Sequence, residues 1–309
     1  MQVFQGFDGV GREFGPTAVA MGNYDGVHVG HARILADVVA ASREAGLVSC
    51  VLTFHPHPLQ VLAPERAPAA IQTLEDRLAA IEALGIDATV VLPFTRELAA
   101  VEAEAFVADF LVARLRCAHL FVGPDARFGH GRGGDLALLR RFEDRGTFRL
   151  SVTRTVEVDG ERVSSSGIRR LVMAGDVARA ARWLGRPYVV SGRVVHGDGR
   201  GRGLGFPTAN VLPGTTTRLA EGIYAVIAET PAGRYPAAVH VGPIPTFGVE
   251  RPVVEAHLLD FEGDLVGDTL RLHFLERLRD VVRFPDADAL RAAIVDDVAR
   301  TRAICRERG

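Results

Sequence analysis

Between residues 17 and 150, short apolar runs alternate with longer amphipathic stretches rich in Ala and Leu: TAVAMG, HARILADVVAASREAG, VSCVLTF, TLEDRLAAIEALG and ATVVLPF. Strand-length runs separated by helix-length segments predict β-α-β units, and therefore a parallel sheet covered by helices. After residue 186 the pattern changes to VVSGRVV, GIYAVIAE, YPAAVHVG, VVEAHLLDF and DTLRLHFL, separated by Gly, Pro and Asp turns. This half predicts an antiparallel β-barrel. The last stretch, DADALRAAIVDDVARTRAIC, keeps its apolar residues at helical spacing behind Pro285, with Asp286 as the expected N-cap. The helical GDVARAARWLG pattern stops at the Gly and Pro of LGRPY, residues 184 to 188. The expected fold class is α/β plus β: an N-terminal domain over residues 1–185 with a parallel sheet, and a C-terminal barrel domain over 186–309 ending in one long helix.

A chain of 309 residues suits two cores of ordinary size. Its 48% hydrophobic and 24% charged residues match compact globular chains, which excludes disordered and fibrous classes. The formal net charge of -2 lacks the basic excess that neutralises nucleic-acid phosphates, so no nucleic-acid partner is expected. Cys50, Cys117 and Cys305 lie far apart with no C-x-x-C spacing. That argues against a zinc site or a disulfide framework and for a reducing, cytoplasmic setting. No run approaches the roughly 20 apolar residues of a membrane span, and the N-terminus lacks the basic-then-apolar order of a signal peptide. The chain contains no lysine. That excludes an ordinary P-loop, which needs one on the phosphates. Oligomeric state is not legible.

Candidate chemistry concentrates in loops. GNYDGVHVGH, residues 22 to 31, follows an apolar strand and opens a helix. Gly22, Gly26 and Gly30 allow close backbone approach to a ligand, while His28 and His31 share a face on the first helical turn. A helix N-terminus attracts phosphate, and imidazole donors suit the charge that grows in nucleotidyl transfer. As an isolated H-x-G-H, the pair is equally well read as two exposed loop histidines. TFHPHP (residues 53 to 58), VGPDARFGHGRGGD (122 to 135, with Asp125) and SSSGIRR (164 to 170, with Ser164, Ser166 and Arg169) add polar loops at strand ends and a helix start.

In order and content these segments resemble the adenylyltransferase module of the prokaryotic bifunctional riboflavin kinase/FAD synthetase family, a Rossmann-like nucleotidylyltransferase domain. The resemblance implies that His28 and His31 contact ATP phosphates and that Asn23 and Asp25 shape the loop with Gly22 and Gly30. It places Asp125 near the adenylate and makes Ser164, Ser166 and Arg169 a phosphate cradle. The implied reaction is in-line attack of the FMN phosphate on the ATP α-phosphorus, which needs positioning, charge stabilisation and Mg2+.

In the second half, VVHGDGRGRGLGFPTAN, residues 194 to 210, has five glycines at every second position. A loop so poor in side chains can fold its amides over polyphosphate, and Thr208 and Asn210 offer oxygens to a hard cation. Glycine-rich hairpins are common, so the specific string is PTAN. It matches the riboflavin kinase signature of the same family, as do EGIYAV, PTF at 245 to 247, VVEAHLLDF and LRDVVRF. The resemblance implies that Thr208 and Asn210 hold Mg2+, that Gly201, Gly203 and Gly205 cover ATP, and that Glu255 is the general base. Arg279 and Phe284 would lie on the flavin side. His119, His240, His257 and His273 have no metal-ligand spacing and are read as structural.

Four departures from the family pattern are Tyr24, Ala126, His130 and Ile244. The expected function is phosphorylation of riboflavin to FMN by the C-terminal domain and adenylylation of FMN to FAD by the N-terminal one. The expected partners are riboflavin, FMN and ATP, with no membrane. Two alternatives stay open: a single active or specialised module, and a non-catalytic flavin-binding regulator.

Overall fold

A computed structural model describes residues 1–11, 14–197, 205–214, 217–243 and 252–308. Packing divides the chain into two units, Met1–Pro68 with Leu74–Val163, and Ala69–Thr73 with Ser164–Gly309.

The first unit is built on six strands: β1 Gln2–Gln5, β2 Thr17–Met21, β3 Val48–His55, β4 Ala88–Pro93, β5 Cys117–Val122 and β6 Arg149–Val152. They lie in the order β1-β4-β3-β2-β5-β6, every pair parallel. Strands β2 to β5 are buried along almost their whole length. Coverage on both faces is why they read as continuous apolar runs rather than alternating ones. The helices are α1 Val29–Ala45, α2 Pro58–Leu62, α3 Leu74–Glu82, α4 Arg96–Ala99, α5 Ala103–Ala105 and α6 Leu136–Asp144, with a π-helical segment over Phe106–Arg114. A hairpin, β7 Glu157–Val158 with β8 Glu161–Arg162, follows β6. Helix α1 buries Leu35, Val38 and Val39 and stops at Gly46, whose φ of 65° is the left-handed cap glycine tolerates best. From β2 the chain builds β3 and β4 on one side, then crosses to β5 on the other. Such a reversal opens a crevice at the carboxyl ends of the two strands, and the loops after β2 and β5 issue there.

The second unit begins with α7 Ser165–Met173 and α8 Val177–Leu184. Then come β9 Tyr188–Val195, β10 Ala209–Pro213, β11 Gly222–Thr230, β12 Gly233–Pro243, β13 Pro252–Leu258 and β14 Thr269–Arg279. These strands close an antiparallel barrel in the order β10-β13-β12-β11-β14-β9. Val194, Val211, Tyr224, Val226, Val239, Ala256, Leu272 and Phe274 are among its buried residues. The final helix, α9 Ala287–Arg308, packs on β11, β12 and β14, and Asp286 Oδ1 accepts from the Ala289 amide at 2.8 Å as its cap.

Helical patterning ends at residue 185, yet packing assigns residues 164–185 to the barrel unit. The reason is the apolar face of α8, which buries Val177, Ala180, Trp183 and Leu184 and lies along β14 and β9. Helix α7 fits against α8 because residue 167 has no side chain: a Cβ on Gly167 would stand 2.3 Å from Trp183 Cζ3. Gly167→Ala is expected to cost about 2 kcal/mol through overpacking. Denaturant unfolding followed by the fluorescence of Trp183, the chain's one tryptophan, measures this. An unchanged midpoint would contradict the packing account.

Candidate active sites of the two units

In the parallel-sheet unit, the loop from β2 to α1 is held in unusual backbone. Tyr24 (φ 50°), Gly26 (φ 90°) and Val27 (φ 39°) all have positive φ, a conformation that costs a non-glycine residue about 1–3 kcal/mol. His28 then caps α1, its Nδ1 accepting the His31 amide at 3.2 Å. That bond makes Nε2 of the neutral ring its protonated, donor nitrogen. The His28 and His31 rings stack 3.7 Å apart at 13°, and Tyr24 meets His31 edge-on at 5.0 Å. Gly30 makes room for this stack, since a Cβ there would lie 3.1 Å from the His28 ring. At Gly22 a Cβ would likewise lie 3.2 Å from the Tyr24 ring. Tyr24 is fully enclosed, and burial holds its phenol in the protonated form.

Gly22, Asn23, Asp25, His28, Gly30 and His31 therefore share the β2–α1 loop and the first turn of α1. Asn23 Nδ2 lies 3.4 Å from Nε2 of His57, from the TFHPHP loop after β3, and Asp25 is buried. Asp125 follows β5, the neighbour of β2, and pairs with Arg162 of the β7–β8 hairpin. Ala126 packs against the apolar core. Ser164 and Ser166 lie at the start of α7, within the barrel unit; Ser164 Oγ caps the helix by accepting the Gly167 amide at 3.1 Å. Arg169 Nε donates to the Ala69 carbonyl at 2.6 Å.

In the barrel, strand register assembles the second site. Asn210 on β10 faces Glu255 on β13, Glu255 faces His240 on β12, His240 faces Ile223 on β11, and Ile223 faces Arg279 on β14. Directly opposed residues share a face, so these five form one band across five strands. Glu255 Oε2 stands 3.7 Å from His240 Nδ1. At the end of the band Arg279 grips Asp297 of α9, with Nε at 3.0 and 3.2 Å from the two carboxylate oxygens and Nη2 at 2.7 Å from Oδ2. The Phe284 ring centre is 5.5 Å from the same guanidinium.

A cavity of about 620 Å3 opens beside this band, bounded by Phe206, Thr208, His240, Glu255, Arg279, Phe284 and, from α9, Leu290 and Ile294. A second cavity of about 270 Å3 is lined by Val195, His196, Asn210, Phe261 and Leu265. Thr208 lines both. Asn210 is buried and crowds Gly197, where a Cβ would fall 1.9 Å from its Nδ2. Gly205 has φ 88°. Gly201, Gly203, Ile244 and the PTF string at 245–247 lie outside the described residues. Among the described residues no group of three His, Cys, Asp or Glu could hold a metal ion. A threonine hydroxyl and a buried asparagine amide are instead neutral oxygen donors, the kind that supplement phosphate and water around Mg2+.

Residues 12–167 match the family model described as FAD synthetase, and residues 184–305 match the one described as riboflavin kinase. A bifunctional riboflavin kinase/FMN adenylyltransferase of Pseudomonas fluorescens is 38% identical over 305 residues, 98% of each chain. The chain belongs to the bifunctional riboflavin kinase/FMN adenylyltransferase family. The Escherichia coli K12 member is 37% identical, covering 92% of this chain and 91% of the relative, and the Bacillus subtilis member is 33% identical, covering 93% and 92%. Among solved structures, a macrolide-efflux protein from Streptococcus pneumoniae superposes with a TM-score of 0.86 at 28% identity, covering 97% of this chain and 98% of that one. Among the described residues no helix is long and apolar enough to cross a membrane.

Within this family member, two histidines read from sequence as structural belong to the cavity wall. His240 and His257 lie on β12 and β13 at the same alternation as Glu255, which turns them toward the cavity rather than into the barrel. His257 Nδ1 donates to the Pro207 carbonyl at 2.8 Å and its ring meets Phe206 edge-on, so it fastens the segment that carries Thr208. Their parity with Glu255 was the available signal. His119 instead bonds Ser151 at 2.9 Å and His273 bonds Glu229 at 3.0 Å, with burial lowering the proton affinity of both rings.

Arg279 is thus committed to Asp297, and the pair ties α9 to the barrel. Asp297 is almost wholly buried. Asp297→Ala leaves a cation without its partner and is expected to destabilise the barrel unit by about 3 kcal/mol. Chemical denaturation measures it, and a loss indistinguishable from zero would show that the pair does not hold the helix.

Proposed function

We propose that residues 186–309 phosphorylate riboflavin to FMN with ATP, and that residues 1–185 transfer AMP from a second ATP to FMN, giving FAD and pyrophosphate. The observation that carries this reading is the convergence of Glu255 and Thr208 on one cavity that also presents an apolar wall of Phe206, Ile223, Phe284, Leu290 and Ile294. An isoalloxazine needs such walls, and its ribityl hydroxyl needs a carboxylate.

In the kinase step Glu255 takes the proton of the terminal ribityl hydroxyl as its oxygen bonds to the γ-phosphorus and the bond to ADP breaks. Phe206, Phe284, Leu290 and Ile294 hold the ring system, and Thr208, shared by both cavities, marks where nucleotide and flavin meet. Thr208 and Asn210 would hold Mg2+. When bound, that ion neutralises charge on the transferring phosphate. In the adenylylation step an FMN phosphate oxygen attacks the α-phosphorus and pyrophosphate leaves. No protein nucleophile takes part. His28 donates through Nε2 to the phosphate oxygens, His31 stacks behind it, and the α1 N-terminus adds its dipole. The setting is the cytoplasm, a reading supported by three buried free thiols.

Two variants separate the steps. Glu255→Gln is expected to lower FMN formation at least about a hundredfold while leaving FAD synthesis from supplied FMN unchanged. His28→Ala is expected to do the reverse, by about a hundredfold. Chromatography of the flavins reads both, and a variant that disabled both steps equally would contradict two separate sites. Chelation with EDTA is expected to stop both reactions and added Mg2+ to restore them. Turnover that survived chelation would remove the metal from the account.

A further inference from the structure

Helix α3 carries a charged residue where its apolar stripe should continue. Arg77 lies one turn before Ile81, and both are buried. Arg77 as a whole is only 7% exposed. Nη1 donates to the Asn23 carbonyl at 2.9 Å, to the Phe54 carbonyl at 3.1 Å and to Thr53 Oγ1 at 3.3 Å. Thr53 Oγ1 itself donates to the Asn23 carbonyl at 3.2 Å. One buried cation thus ties the first residues of the β2–α1 loop to the end of β3. Its Nε is buried with no partner among the described residues. Burial lowers its proton affinity and the nearby Asp25 carboxylate offsets part of that loss.

A buried arginine that spends its donors on loop carbonyls costs desolvation and, among the described residues, makes no close ion pair, so its value lies in what it fixes. What it fixes is the segment whose next residues include two non-glycine positive-φ positions and which ends in the His28–His31 stack. Strained backbone of this kind persists only when its surroundings over-determine it.

We propose that Arg77 is the positioning residue of the adenylylating site, clamping the Asn23 and Phe54 carbonyls so that the strained loop presents His28 and His31 to the nucleotide phosphates. The proposal rests on the adenylylating role given to the parallel-sheet unit. Arg77 touches no reacting atom, and its effect passes through the loop. Misplacing phosphate donors by about an ångström costs on the order of a hundredfold in turnover.

The test uses the full chain with Arg77→Ala and Arg77→Lys, measuring kcat and KM for FAD formation from FMN and ATP, with far-UV circular dichroism as the folding control and riboflavin phosphorylation in the same molecules as the measure of the untouched barrel site. Arg77→Ala is expected to lose about a hundredfold in kcat with KM for FMN shifted by no more than about threefold. Arg77→Lys keeps the charge and one donor group and is expected to fall between the two. Millimolar guanidinium ion is expected to recover part of the Arg77→Ala loss. Should Arg77→Ala not fold, the kcat of Arg77→Lys carries the test. A kcat equal to wild type in the folded variants, or a loss confined to KM, would overturn the role of Arg77 alone. Wild-type protein that forms no FAD would overturn the reading beneath it as well.

Discussion

Strand register is the constraint on which the barrel site depends. In an antiparallel pair the opposed residues share a face, so placing Asn210 beside Glu255 and Glu255 beside His240 requires no loop to find its own way. A slip of one residue between β10 and β13 would turn Thr208 and Asn210 away from the carboxylate. The closing β9–β10 pair and the nine-residue β11–β12 ladder leave little freedom for that slip. The same band ends in Arg279, whose bond to Asp297 brings the last helix over the cavity. A carboxylate, a neutral oxygen set and an apolar wall are therefore products of one hydrogen-bond pattern.

The parallel-sheet unit solves a similar problem by different means. Its donors come from a loop at the crevice where strand order reverses, and a loop has no ladder to hold it. Positive φ at Tyr24 and Val27 compresses the chain so that His28 arrives as the cap of α1. Glycines 22 and 30 clear the space that the rings occupy, and Arg77 supplies from beneath the bonds that a ladder would have given. Because the chain has no lysine, fixed positive charge in both units is guanidinium. Planar guanidinium forks suit carbonyl and carboxylate partners, and the buried Arg77 and partly exposed Arg279 both act as fasteners.

Much of this was legible in sequence because its signals are local. Apolar runs with turn residues between them marked β2 to β4 and most of the barrel, and GNYDGVHVGH and GFPTAN marked the two loops. Strand β1 escaped, being four mostly exposed residues that pair only at the edge with β4. Strand β10 escaped because five residues following a glycine loop carry too short a pattern. The cavity roles of His240 and His257 required knowing which face of β12 and β13 turns to the cavity. Arg77 leaves only one trace, a charge on an apolar stripe. Its partners are two backbone carbonyls and a threonine, and carbonyls have no sequence signature. Asp297 lies eighteen residues from Arg279 across a turn, a pairing that only the packing of the last helix creates.

The central claim is that two chemically distinct phosphorus centres of ATP are attacked in one chain, the γ-phosphorus at the barrel and the α-phosphorus at the parallel sheet. Isotopic labelling addresses it directly: riboflavin is incubated with the enzyme and ATP labelled at either the α or the γ phosphorus, and the separated flavins are counted. The account predicts γ-label in FMN and later in FAD, and α-label in FAD with none in FMN. Label from the α position in FMN, or FAD that carries no α-label, would contradict it.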